Sequence, residues 1–219
     1  MRITGSKTFF LAATAIFAVA IFLSAASSPP RKTVQAPVTS RAFTGAKLSS
    51  PFLLTLDPMQ SKVHWILPSS LHTVHGMFAV TRGTMDVDPQ SGKAGGEIVV
   101  NAKSGQSGND SRDSKMHKEI LETTRYPDVV FHPTQVEGDV VPGAVSELKV
   151  RGTLSIHGND HEIVALVRAE LNGETWKGTG KFDVPYVAWG MKNPSNFFLK
   201  ADKVVSVELD LAGRIQPAK

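Results

Sequence analysis

Between Leu148 and Ile156 apolar and polar residues alternate. Leu148, Val150, Gly152, Leu154 and Ile156 share one parity, and Lys149, Arg151, Thr153, Ser155 and His157 the other. A pleated strand sends successive side chains to opposite faces, so the run predicts a strand with one dry and one wet face. Gly158-Asn159-Asp160 suits a tight reversal. On the return, Ile163, Ala165, Val167, Ala169 and Leu171 share a face, with Val164 and Leu166 opposite. Leu148–Leu171 therefore reads as a hairpin. The same period recurs in Val63/Trp65/Leu67, Gly76/Phe78/Val80, Ile98/Val100/Ala102, Val129–Phe131, Trp176 to Val184 and Val205 to Leu211. About eight such runs joined by short turns predict an all-β, antiparallel barrel or sandwich.

One segment departs from this period. Over about 112–124, Met116, Ile120 and Leu121 fall at helical spacing among Lys115, Lys118, Glu119 and Glu122, which predicts a short amphipathic helix with Ser111 as its cap. At the N-terminus, Arg2 and Lys7 precede an apolar run from Phe9 to Leu23 and then Ser24-Ala25-Ala26. This is the pattern of a signal peptide (1–26), cleaved after about Ala26, with an uncleaved anchor as the alternative. Residues 27–50 are rich in Ser, Pro, Thr and Ala without apolar periodicity and are expected to form a flexible tether. Residues 51–219 make up the folded domain, exported to the periplasm or secreted.

Charge removes one class of function. The formal net charge is +4, but six of the 24 basic residues precede residue 51 and no acidic residue precedes Asp57, so the body carries 18 basic against 20 acidic side chains. A body without net positive charge has no general attraction for phosphate, and nucleic acid is not an expected partner. The chain has no cysteine, which excludes disulfides, thiolate metal sites and a cysteine nucleophile.

Glycines recur on the apolar parity at Gly152, Gly178 and Gly180. Glycine weakens a strand, and two readings of its repeated use stay open: bends that let a barrel close, or an interior kept open for a ligand. A barrel of about eight strands has just enough room for one.

Six pieces in order carry a resemblance: Asp57-Pro58 with Ser61-Lys62-Val63-His64-Trp65; Val74-His75-Gly76-Met77-Phe78; Arg112-Asp113; Tyr126 to Phe131; Val150 to Gly158; and Lys203 to Val207. Over about 57–213 the chain resembles the YceI-like family of lipocalin-like, polyisoprenoid-binding proteins. The resemblance implies an antiparallel up-and-down lipocalin-like barrel, with the helix near one end, whose apolar cavity holds a long-chain lipid such as a polyisoprenoid or fatty-acid derivative. It departs from the family pattern at Gln60, where members commonly carry histidine. It departs again at Lys115-Met116 and Ile120-Leu121, which stand where His-Leu and an aromatic pair are usual.

These readings together place on the cavity wall Trp65, Leu67, Phe78, Val80, Ile98, Val100, Phe131, Gly152, Leu154, Ile156, Val167, Trp176, Gly178, Gly180 and Phe182. Arg112 and His117 are candidates for the mouth, where a lipid head group would sit. His72, His75, His157 and His161 form a second, metal- or haem-binding reading, opposed by strand geometry: residues three apart point to opposite faces. No nucleophile elbow, zinc-protease motif or phosphate loop is present. Asp110, Arg112 and Asp113 suit a cap or salt bridge better than acid–base catalysis, so no catalytic residue or cofactor is assigned. The loop Trp189–Phe198 is read as a plug of one barrel end, with entry of a lipid tail as a second role. A homodimer is possible, and membrane attachment is expected only through an uncleaved leader.

Overall fold

The computed structural model describes residues 45–218. The expected signal peptide and residues 27–44 of the expected tether lie outside the described residues. Nine strands follow one another: β1 (Phe52–Leu56), β2 (Lys62–Leu67), β3 (Val74–Val87), β4 (Ala94–Gln106), β5 (Asp128–Glu137), β6 (Val145–Ile156), β7 (Asn159–Asn172), β8 (Thr175–Val184) and β9 (Val205–Pro217). From β3 to β9 each strand pairs antiparallel with the next.

The sheet closes through β1 and β2, which lie end to end in one wall position. β2 bridges the mouth-side halves of β3 and β9, with Trp65 opposite Gly76 and Val207. β1 bridges their far halves, with Phe52 opposite Val87 and Pro217. Nine segments thus make a closed antiparallel barrel of eight wall positions. At the break, the Asp57 carboxylate accepts from the Met59 N–H at 2.9 Å and the Gln60 side chain at 2.5 Å. The buried Ser61 hydroxyl donates to the Ala212 carbonyl and accepts from its N–H, each at 3.2 Å, filling the gap in the ladder.

The two barrel ends differ. Short turns at 88–93, 138–144 and 173–174 close one end, which Leu54, Val87, Val136, Val150, Leu171, Trp176 and Ile215 fill as a buried core. Both described chain ends are fastened there, by Leu48 N–H to the Val140 carbonyl at 2.9 Å and Ala218 N–H to the Pro51 carbonyl at 3.0 Å. The other end carries the longer connections, 68–73, 107–127 and 185–204.

The helix sits in the second of these connections. It comprises α1 (Asp110–Lys115) continued by a π-helical turn over Met116–Ile120. It starts two residues before the expected position because Asn109, not Ser111, caps it: its side-chain oxygen accepts the Arg112 N–H at 3.0 Å. It stops at Ile120 rather than near 124. The Leu121 N–H reaches back to the Met116 carbonyl at 2.9 Å, and Glu122 adopts a left-handed φ of 46° that no helix continues. Among the described residues no helix is long and apolar enough to cross a membrane.

Candidate functional site

Alternation turns one side chain in two of each strand inward, and near the open end these side chains do not meet. They leave a cavity of about 460 Å³ beneath the helix and the 185–204 loop. Nine of the residues placed on the wall from sequence do line it: Trp65, Leu67, Phe78, Ile98, Val100, Phe131, Leu154, Ile156 and Phe182. The strands also contribute Val63, Val74, Val129, Ile163, Ala165, Val184 and the inward residues of β9 from Val205 to Leu211. The roof comes from Met116, Ile120 and Leu121 of the helical connection and Tyr186, Met191, Pro194, Leu199 and Ala201 of the 185–204 loop.

Six expected wall residues lie elsewhere. Val80 and Trp176 belong to the packed core, and Val167 packs against it. Gly152, Gly178 and Gly180 do not border the cavity either, and they do not mark open space. A Cβ on Gly152 would stand 2.3 Å from the His132 carbonyl oxygen and 2.7 Å from the Phe131 ring. On Gly178 the first obstacle is the Trp176 ring at 3.3 Å, and on Gly180 Val167 Cγ2 at 3.2 Å. These glycines admit large neighbours.

The glycines that shape the cavity are others. Trp65 lies against the backbone of Gly76, where a Cβ would stand 2.3 Å from its Cε2, and Phe78 lies against Gly105, where a Cβ would stand 2.3 Å from Cε1. The two rings, 6.5 Å apart between centroids, are thus drawn back into the wall. The available signal was that glycine faces an aromatic across the Trp65–Gly76 pair.

The mouth is polar, with Ser69, His72, Asn109, Ser111, Arg112 and Lys115 on the lining. Arg112 is half-buried, and its Nε and one Nη donate to the Ser107 hydroxyl at 2.7 Å and carbonyl at 3.0 Å. The Asp113 carboxylate accepts from the Ser107 N–H at 3.0 Å and from its hydroxyl. Partial burial pushes this carboxyl upward, but the Ser107 hydrogen bonds and the nearby Arg112 charge outweigh it and hold Asp113 below the usual range. This pair braces the loop that leads into the helix.

His117 does not reach the mouth. Its Nε2 hydrogen-bonds the Gly105 carbonyl at 2.8 Å; a carbonyl only accepts, so Nε2 carries the hydrogen. The residue fastens the helix to β4. Lys192 Nζ pairs with Glu119 Oε2 at 2.6 Å and Lys115 Nζ approaches the Pro194 carbonyl at 3.5 Å, so helix and loop hold each other over the opening. The hydrogen bond from Lys192 and its charge lower the Glu119 carboxyl. Tyr186 donates to the Asp202 carbonyl at 2.7 Å, and burial followed by the Asp202 charge pushes its phenol up to about 12.

The other histidines are dispersed. His72 lies at the mouth, while His75 is exposed on β3 opposite Ile66. His157 sits 3.8 Å from Glu122 and against Tyr126, and His161 stacks on Trp189. Among the described residues no group of three His, Asp or Glu side chains is placed to hold a metal ion. Of the loop Trp189–Phe198, Met191 is buried and helps roof the cavity, whereas Phe197 and Phe198 turn outward, 89% and 81% exposed.

A closed eight-position meander around an apolar cavity, with a helix over one end, defines a lipocalin-like binding barrel by its form. The YceI-like domain model matches residues 54–213, and the chain belongs to that family. Among solved structures it is similar to Burkholderia cenocepacia BcnA, at 17% identity, covering 72% of this chain and 99% of that one with a TM-score of 0.59. It is also similar to a polyisoprenoid binding domain from Saccharophagus degradans implicated in plant cell wall breakdown, at 15% identity. That match covers 74% of this chain and 98% of the other with a TM-score of 0.58. Among curated proteins, none matches the chain.

Proposed function

We propose that this protein is an exported carrier or reservoir that holds a long apolar molecule, a polyisoprenoid or a fatty-acid derivative, in its barrel. The observation that carries the reading is the cavity of about 460 Å³, walled by aliphatic and aromatic side chains and polar only at its mouth. Removing an alkyl chain from water contributes about 0.8 kcal/mol per methylene, so such a wall favours a long chain over a small polar metabolite. Trp65, Phe78, Phe131, Leu154 and Phe182 would hold the chain, and Arg112 would stand beside its head group. The YceI-like membership and the likeness to a polyisoprenoid binding domain support this reading, and the apolar leader Phe9–Leu23 supports export.

Mass spectrometry of organic extracts from the purified protein tests it. One lipid recovered per barrel is the expected result. A delipidated barrel that takes up no long-chain lipid of any class overturns it.

A further inference from the structure

The cavity has a floor, and the floor sets a length. Along β9 the wall runs from Val205 to Leu211, beyond which the Trp176 core closes the barrel. At ~3.4 Å per residue this is roughly 20 Å of strand, and a strand tilt of about 40° reduces it to roughly 15 Å of depth. An extended chain advances ~1.2 Å per bond, so about thirteen bonds fit fully extended. A polyisoprenoid of many units exceeds this depth.

The mouth has a sign. Arg112 and Lys115 line it with the neutral groups of Asn109, Ser111 and Ser69, and no carboxylate does. Among the described residues neither cation lies within 4.0 Å of a carboxylate oxygen, although Glu119, Asp139 and other acids hold basic partners elsewhere. Arg112 spends part of its fork on Ser107 and its charge acts on Asp113, while Lys115 reaches the Pro194 carbonyl at 3.5 Å and its charge acts on Glu119, so neither has a carboxylate in direct contact. Both are half-buried. A cation screened from water by an apolar tail gains from an anion placed beside it, and a bidentate guanidinium suits a carboxylate or phosphate.

From these two observations we infer that the ligand is a single-chain anionic amphiphile of about fifteen carbons, its head group against Arg112 and Lys115 and its tail ending on the Trp176 floor. This rests on the carrier reading above and selects the fatty-acid-like arm of it.

The test is displacement of a fluorescent fatty acid from the delipidated protein by saturated carboxylates, alkyl phosphates and alcohols of graded length. Affinity should climb about fourfold per methylene and level off near sixteen carbons, with either anion preferred over the alcohol by tenfold or more. The carboxylate and phosphate series show which head is taken. Lys115→Met should narrow the preference for the anion without moving the length limit. Raising salt should weaken binding of the anions and leave the alcohols unchanged, a readout that needs no variant. Affinity still climbing at twenty-two carbons, or for octaprenyl over farnesyl chains, overturns the length limit. Equal binding of alcohol and anion at low salt overturns the head-group assignment. Failure of every chain to bind would instead overturn the carrier reading itself.

Discussion

Trp189 stacks on His161 with ring centroids 4.0 Å apart and planes 5° from parallel. The contact joins the 185–204 loop to β7 and, with the Lys192–Glu119 pair, holds the roof at two points. An aromatic pair contributes about 1 kcal/mol beyond its buried area. Trp189→Ala should therefore lower the melting temperature by a few degrees, with faster amide exchange confined to 187–199. Hydrogen exchange with peptide-level resolution checks this, and uniform acceleration across the barrel would contradict it.

Gly76 is predicted to accept no larger residue. A Cβ there meets Trp65 at 2.3 Å and the Gln106 carbonyl oxygen at 2.5 Å. Gly76→Ala should push the indole into the cavity, at a cost of about 1–3 kcal/mol for overpacking, and reduce lipid uptake with it. Gly180→Ala, whose nearest neighbour is the movable Val167 Cγ2 at 3.2 Å, should leave uptake unchanged. Tryptophan fluorescence and lipid titration of both variants make the comparison.

Trp176 should be the costliest side chain of the floor to truncate. It is 5% exposed in the core cluster, and its Nε1 is buried with no hydrogen-bond partner among the described residues. Trp176→Ala is expected to cost about 3–5 kcal/mol in urea unfolding. Trp176→Phe should cost about 1 kcal/mol or less, because it also removes a buried unsatisfied donor. Equal losses would show that the indole N–H does find a partner.

The Lys192–Glu119 pair predicts an acid-sensitive roof. The Glu119 carboxyl is lowered from its ordinary 4.5 by the hydrogen bond and charge of Lys192. A lowered folded-state value stabilises above the ordinary one, and that contribution is lost as pH falls through the folded value. Protection of 187–199, measured against intrinsic exchange rates at each pH, should fall on acidification below about pH 4.5 in the native protein. In Lys192→Met the same amides should exchange faster at neutral pH and respond less to acid.

The strands were legible because period-two alternation is a direct physical consequence of a half-buried pleat; β6 and β8 show it cleanly, while β7 blurs it with Val164 and Leu166 on the outer face and β9 with the buried Ala212. The closure was not legible. Phe52–Leu56 carries no signal that it continues the wall position of Lys62–Leu67, since only pairing with β3 and β9 defines that. Alternation says which side chains point inward but not how far along the barrel they sit, so it places Trp176 and Val80 on a cavity wall although both belong to the packed core. Glycine on the inward face was ambiguous for the same reason: absence of a side chain is compatible with space or with a close neighbour, and at Gly152 the neighbour is the Phe131 ring. His117 shares the helix with Arg112 and Lys115, and only the Gly105 carbonyl at 2.8 Å reveals which way it turns.

Leu48 and Ala218 are both tied down at the base, so the opening lies at the other end of the barrel from either residue. Attachment through a C-terminal tag would present the opening to solution. Protein immobilised in that way is therefore a sound format for lipid titrations, and a fusion partner placed after Ala218 would leave the entrance clear.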